Sequence, residues 1–96
     1  MRQVIFSPGA LRDLERLREF LHSRDPEAAA RAAGAILRGI GALKEQPAIG
    51  RPVDDLPEEY RDWFIEFGTS GYVARYRLDG EFVVILAIRH QKEAGF

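Results

Sequence analysis

This chain of 96 residues has no cysteine, and it has only one methionine and one tryptophan. Without thiols it can build neither a disulfide framework nor a thiolate zinc site, and no redox compartment is indicated. No apolar run approaches the ~20 residues that a bilayer span requires. Met1-Arg2-Gln3-Val4-Ile5-Phe6 has neither the extended apolar core nor the small-residue cleavage pattern of a secretory leader. A cytoplasmic protein with no membrane partner is the expectation.

Excess charge is missing as well. The formal net charge is −1, and from Arg61 onward five basic residues (Arg61, Arg75, Arg77, Arg89, Lys92) meet five acidic ones (Asp62, Glu66, Asp79, Glu81, Glu93). Binding driven by phosphate neutralisation leaves a net basic stripe, so a generic nucleic-acid binder is excluded. A protein or ribonucleoprotein target with a specific docking surface stays open. The sequence also lacks a P-loop, a dinucleotide fingerprint, a carboxylate pair at fixed spacing and any metal-ligand constellation. Neither a metal nor a cofactor is expected.

What remains suits one domain over residues 1–96, of ordinary globular composition with 46% hydrophobic and 30% charged residues. A domain this small has a thin core, often completed by a partner. Residues 2–6 read as a short strand ending at Ser7-Pro8, an N-cap followed by proline at the first helical position. Leu11, Leu14, Leu17 and Leu21 then recur at three- and four-residue spacing, which predicts an amphipathic helix to about His22. Asp25-Pro26 repeats the cap signal and opens a second helix, from about Glu27 to Lys44, with the stripe Ala29, Ala33, Ile36, Ile40, Leu43. Gly34 and Gly41 lie inside it, each unfavourable by about 1 kcal/mol relative to alanine. Together with Ala30 they are expected to admit a closely approaching backbone.

A proline-rich loop from Pro47 to Pro57, with room for a short extended piece near Arg51-Pro52-Val53, leads into three strands, Arg61–Phe67, Tyr72–Leu78 and Glu81–Ile88, separated by Gly68-Thr69-Ser70-Gly71 and by Asp79-Gly80. The order implies an α+β fold. An N-terminal strand and an antiparallel two-helix hairpin precede a three-strand antiparallel meander, with the helices on one face of the sheet. Pairing Phe67 with Tyr72 sets Ile65 opposite Ala74 and Trp63 opposite Tyr76. Across the next turn Tyr76 faces Val83 and Ala74 faces Ile85. These residues form the expected core face. The other face then carries Asp62, Phe64, Glu66, Val73, Arg75, Arg77, Phe82, Val84, Leu86, Ile88 and His90. Its apolar column has no remaining element to cover it, Phe96 being the one large apolar residue beyond the last strand. Such a patch marks a partner site, unless the first strand or the loop before Tyr60 curls over it.

In this register Arg77 opposes Asp62 and Arg75 lies diagonal to Glu66, so cross-strand ion pairing competes with any phosphate-binding role. His90, beside Arg89 and Lys92, carries an imidazole, a side chain suited to acid–base work near neutral pH, but no nucleophile or second base is placed beside it. Arg51 and Arg61 bracket the loop entering the sheet.

Phe6-Ser7-Pro8 with Leu11 and Leu14, the Ala-rich helix, Leu43…Pro47-x-x-Gly50-Arg51, Tyr60-Arg61, Gly71-Tyr72…Tyr76-Arg77 and Val84-Ile85-Leu86-Ala87-Ile88-Arg89-His90 occur in an order and spacing that resembles the RelE/ParE toxin superfamily of bacterial type II toxin–antitoxin systems, along nearly the whole chain. The resemblance implies a growth-arresting toxin held by a cognate antitoxin in a hetero-oligomer. RelE-like members cleave messenger RNA in the ribosomal A site, and ParE-like members poison DNA gyrase. RelE-like chemistry uses lysines on the second strand, an arginine after the Gly-Tyr turn, and a basic residue and a tyrosine near the C-terminus. Here those positions hold Phe64, Glu66 and Val73, and no tyrosine follows the last strand. The ParE-like branch is therefore favoured, without catalytic residues of its own. A ribosome-dependent nuclease using Glu66, Arg75 and His90 is the alternative. The resemblance further implies an antitoxin surface of Val73, Arg75, Val84, Leu86 and Ile88. Arg61, Arg89, His90 and Lys92 become candidates for touching the target, which the family suggests seeking near the helical hairpin loop and the C-terminal tail.

Overall fold

A computed structural model describes residues 2–93. The two cap-then-proline signals act as read. Ser7 is extended, and its Oγ accepts from the Ala10 N–H at 3.1 Å, opening α1 (Pro8–His22). Asp25 accepts from the N–H groups of Glu27 and Ala28, opening α2 (Pro26–Gly41), which tightens into a 3-10 turn over Ala42–Lys44. From α1, Leu17 is buried, with Leu14 and Leu21 packed at the core's margin, while Leu11 stays exposed. From α2 the buried stripe is Ala29, Ala32, Ile36 and Ile40, continued by Leu43. Ala33, expected in that stripe, faces outward.

The small residue that admits a neighbour is Gly39. A Cβ there would lie 2.7 Å from Ile65, and the Trp63 indole N–H donates to the Gly39 carbonyl at 2.9 Å. Gly34 and Gly41 do not serve this purpose. A Cβ on Gly34 meets only the Arg38 side chain of its own helix, and one on Gly41 meets nothing within 4 Å.

Five strands form one mixed sheet: β1 (Gln3–Phe6), β2 (Arg51–Pro52), β3 (Tyr60–Phe67), β4 (Ser70–Asp79) and β5 (Phe82–His90). Their spatial order is β1-β5-β4-β3-β2, with β1 parallel to β5 and the remaining pairs antiparallel. β2 is the short extended piece expected near Arg51-Pro52-Val53, reduced to an edge strand of two residues. Both helices pack on one sheet face, where Ile65, Tyr72, Ala74, Tyr76, Val83, Ile85 and Ile88 complete the core.

The meander register differs from the expected one in two ways. The first hairpin closes two residues tighter and the second keeps a two-residue turn moved one residue along the chain, so each pairing shifts by two. Phe67 pairs with Ser70 around Gly68-Thr69, and Asp79 pairs with Phe82, with Gly68 (φ 63°) and Gly80 (φ 59°) supplying the left-handed backbone of each turn. A shift of two preserves which residues face the helices, so the core face is the expected one up to Ile85.

The second difference is a β-bulge. Tyr76 pairs with Ile85 but Arg75 pairs with Ala87, leaving Leu86 as the extra residue. Alternation reverses beyond that point. Ile88 is fully buried in the core, His90 pairs with Tyr72 on the helix side, and Arg89 lies opposite Val73 on the outer face. The N-terminal half of α1 holds the bulge in place. Ser7 Oγ donates to the Leu86 carbonyl at 3.1 Å, Asp13 accepts the Ile88 N–H at 2.8 Å, and a Cβ on Gly9 would come within 3.3 Å of the Leu86 oxygen.

Candidate functional site

The sheet face away from the helices is open to solvent. Phe64, 44% exposed, lies beside partly buried Val73, while Val84 sits further along the face opposite Arg77 and Phe82 is exposed at the far end. Phe96, considered as a cover for this face, lies outside the described residues. In the middle, Arg75 makes a two-pronged ion pair with Asp62, Nε to Oδ1 at 2.9 Å and Nη2 to Oδ2 at 3.1 Å. The hydrogen bond to Asp62 strengthens the arginine's hold on its proton. The two-residue register shift therefore changes the expected partners. Arg75, not Arg77, opposes Asp62, and Arg77 pairs with Asp79 at 3.2 Å. Glu66 lies opposite Gly71, four residues along β4 from Arg75, or roughly 13 Å at the rise of a strand.

The alternative nuclease set does not assemble. Glu66 and Arg75 share the open face, but the bulge carries His90 to the other side. There the His90 Nε2 lies 3.1 Å from Ser70 Oγ, and Nδ1 accepts the Lys92 N–H at 3.1 Å. Its ring meets Tyr72 edge-on at 5.4 Å. An Nδ1 that accepts is unprotonated, so the proton of the neutral ring sits on Nε2 and points at Ser70. Ile88 also leaves the open face; as a core residue it cannot touch a partner. Arg61 holds its own loop, with Nη1 donating to the carbonyls of Ala48 (3.2 Å) and Gly50 (2.8 Å).

A second surface was not legible as a unit. At the end of the sheet an apolar groove is lined by Phe20, Leu21, Phe67, Tyr72, His90 and Lys92. It joins the end of α1 to the turn after β5. Phe20 is 56% exposed and carries the Arg24 guanidinium 4.0 Å from its ring centre. The only sequence signal was Phe20 itself, an aromatic residue outside the leucine stripe. Burial, then the Glu93 charge, raises the Tyr72 hydroxyl above the ordinary phenol range.

The turn after β5 is clipped to α1. Arg16 pairs with Glu93 at 2.7 Å, the other Glu93 oxygen accepts the His90 N–H at 2.7 Å, and Arg89 Nη1 donates to the carbonyls of His90, Gln91 and Glu93. Burial raises the Glu93 pKa, but the His90 N–H and Arg16 outweigh it and leave it below the usual carboxylate range. A depressed pKa stabilises the clipped turn above the unfolded value, and that contribution disappears as pH falls through the folded value. Amide NMR across an acid titration should show His90 and Glu93 shifting together as the clip opens. Glu93→Gln should abolish that acid-dependent step; a step that persisted would assign it to another group.

The family described as "ParE toxin of type II toxin-antitoxin system, parDE" matches residues 4–95. Two Caulobacter vibrioides proteins are similar over nearly their full lengths. "Toxin RelE3" is 39% identical over 93 residues, covering 97% of this chain and 98% of that protein, and "Toxin RelE1" is 41% identical over 90 residues, covering 94% of each. Among solved structures, a chain of the chromosomal ParDE system from P. aeruginosa superposes with a TM-score of 0.78 at 24% identity, covering 94% of this chain and 96% of that one. A chain of the RelBE2 toxin–antitoxin complex from Mycobacterium tuberculosis gives 0.61 at 27% identity, with 94% and 98% covered. With the fold, the match over residues 4–95 and these relatives in agreement, the chain belongs to the ParE toxin family of type II toxin–antitoxin systems.

Proposed function

We propose that this toxin arrests growth by binding DNA gyrase and stabilising its cleaved DNA complex, not by cutting RNA, and that a cognate antitoxin neutralises it by docking on the open sheet face. The observation that carries the reading is the separation of Glu66 and Arg75 from His90 by the thickness of the sheet. Cleavage through a 2′-hydroxyl needs a base, an acid and a cation converging on one phosphate. Here Asp62 already neutralises Arg75, and two hydrogen-bond partners engage His90 away from Glu66. The match to a ParE description supports the same branch, and solved relatives recorded as toxin–antitoxin complexes support the antitoxin partner.

Val73, Arg75, Val84 and Leu86 make up the antitoxin surface, extended by exposed Phe64 and Phe82. Target contact is assigned to the groove at the sheet end, where Phe20, His90 and Lys92 converge, with Arg89 on the open face opposite Val73. The purified toxin is expected to block supercoiling by gyrase and to trap cleaved DNA, while leaving ribosome-bound message intact. Message cleavage that His90→Ala abolishes, with gyrase unaffected, would establish the RelE-like reading instead.

A further inference from the structure

Two tyrosines of β4 lie in the core, and their hydroxyls are treated differently. Tyr76 donates to the Pro47 carbonyl at 2.6 Å and accepts the Gly50 N–H at 2.9 Å. Tyr72 is only 3% exposed, yet its hydroxyl has no hydrogen-bond partner among the described residues, and the little exposure that remains includes that oxygen. Leaving a buried hydroxyl unpaired is unfavourable. Phenylalanine would fill the same space without that penalty, so packing alone does not account for the oxygen.

Tyr72 lines two depressions, which also share Leu17 and Leu21. One is a narrow cleft of about 260 Å³ between α1 and α2, walled by Leu14, Ala29, Ala32 and Ile36. Its exposed charges, Glu15 and Arg18, neutralise each other at 2.6 Å. The other is the groove at the sheet end, of about 570 Å³, within the roughly 300–1,000 Å³ of clefts that enclose a ligand group. Its charges do not cancel. Glu93 is taken by Arg16 at 2.7 Å, Lys92 has no ion pair among the described residues, and Phe20 carries the Arg24 guanidinium on its ring. Apolar walls thus meet a rim that is net positive.

These walls are set before anything enters. Ser70 and the Lys92 N–H hold the His90 ring, which stands edge-on to Tyr72, and Phe67 packs 6.2 Å from Tyr72. Such preorganisation lowers the cost of ordering on binding. Burial, then the Glu93 charge, keeps the Tyr72 proton in place, so the oxygen is a donor without an acceptor. A nucleic-acid strand would leave phosphates desolvated against leucines and rings, so a protein segment is the better match. The chain's own acidic apolar loop, with Leu56 42% exposed between Asp55 and Glu58, is a poor occupant for a second copy's groove. Its backbone is folded into turns by the bonds from Leu56 N–H to the Val53 carbonyl and from Tyr60 N–H to the Pro57 carbonyl.

We propose that this groove receives an apolar side chain from an acidic segment of the target protein, with the Tyr72 hydroxyl donating to an oxygen of that segment and Lys92 facing its carboxylates. The inference rests on the reading that gyrase is the target, and it makes Tyr72 the residue that selects the segment. Phe20 and the leucines supply contact area, and the buried donor rejects a segment that offers no acceptor.

Calorimetric titration of intact gyrase with the toxin, with and without DNA, tests this. Tyr72→Phe should weaken binding about five- to tenfold, and Phe20→Ala about tenfold or more, whether or not DNA is present. The melting temperature and antitoxin affinity of Tyr72→Phe should stay unchanged, because its hydroxyl bonds no described residue in the free toxin. Lys92→Glu should weaken binding by a similar factor, and added salt should narrow that difference. If the wild-type toxin binds gyrase and the variants bind equally well, the proposal is overturned and the gyrase reading stands. A wild-type toxin that does not bind gyrase ends that reading and the proposal with it. Binding seen only with DNA would assign the groove to nucleic acid. Antitoxin affinity that falls in Tyr72→Phe would assign it to the antitoxin, and concentration-dependent self-association lost in that variant would assign it to a second copy. Each of these three results overturns the proposal. Should Tyr72→Phe misfold, Phe20→Ala and Lys92→Glu, both at the surface, decide the matter by the same comparison.

Discussion

Gly50→Ala is expected to lower the melting temperature by roughly 12–24 °C. A Cβ at this position would sit 2.6 Å from the Tyr76 hydroxyl oxygen, 2.7 Å from Tyr76 Cε1 and 2.9 Å from the Asp62 carbonyl oxygen. None of these can retreat freely. Tyr76 is fully buried, and its hydroxyl is held between the Gly50 N–H at 2.9 Å and the Pro47 carbonyl at 2.6 Å. The Asp62 oxygen belongs to the backbone of β3. Relief requires moving the loop, which breaks the Gly50–Tyr76 bond and loosens the Arg61 contacts to Ala48 and Gly50. Overpacking with loss of a buried hydrogen bond amounts to about 3 kcal/mol, and each kcal/mol moves the midpoint of a domain this size by about 4–8 °C. Thermal denaturation followed by circular dichroism measures the shift. A change below about 3 °C would mean that the loop is not anchored on Tyr76.

Leu86→Asp should weaken antitoxin binding about a hundredfold, through about 2–3 kcal/mol for leaving a carboxylate desolvated in an apolar contact. Leu86 is the extra residue of the bulge and only partly buried, and its structural role runs through its carbonyl oxygen, which the substitution retains. The nearby Arg75 is already engaged by Asp62 and so offers the new carboxylate little relief. Calorimetric titration, with melting temperature as the control for folding, separates lost contact from lost structure. Unchanged affinity at unchanged stability would move the antitoxin off the open face.

Much of the fold was readable because its signals are local. Ser7-Pro8 and Asp25-Pro26 start helices by bonds made within three residues, and the leucine spacing of α1 selects its buried side. The core face of the meander survived an error in both turns because the error was even. The bulge was not readable. It depends on Ser7, Gly9 and Asp13, distant in sequence, meeting Leu86 and Ile88, and nothing near Leu86 announces an extra residue. That single insertion moved Ile88 and His90 off the open face and brought Arg89 onto it, so the candidate site suffered more than the fold. The groove at Phe20 was hidden for a related reason, since its walls come from α1, from β3 and β4, and from the turn after β5.

The pairing of β1 with β5 bears on how the toxin is made. Among the described residues β1 has no other strand partner, and α1 packs on β5 as well as on α2. A chain emerging from the ribosome in sequence order can pack α1 on α2 early, but its first strand waits for a partner strand until the last one has been synthesised. Closing contacts over so long a separation is slow and cooperative. A message that stops short of β5 thus yields a chain whose sheet has no strand for β1 to join.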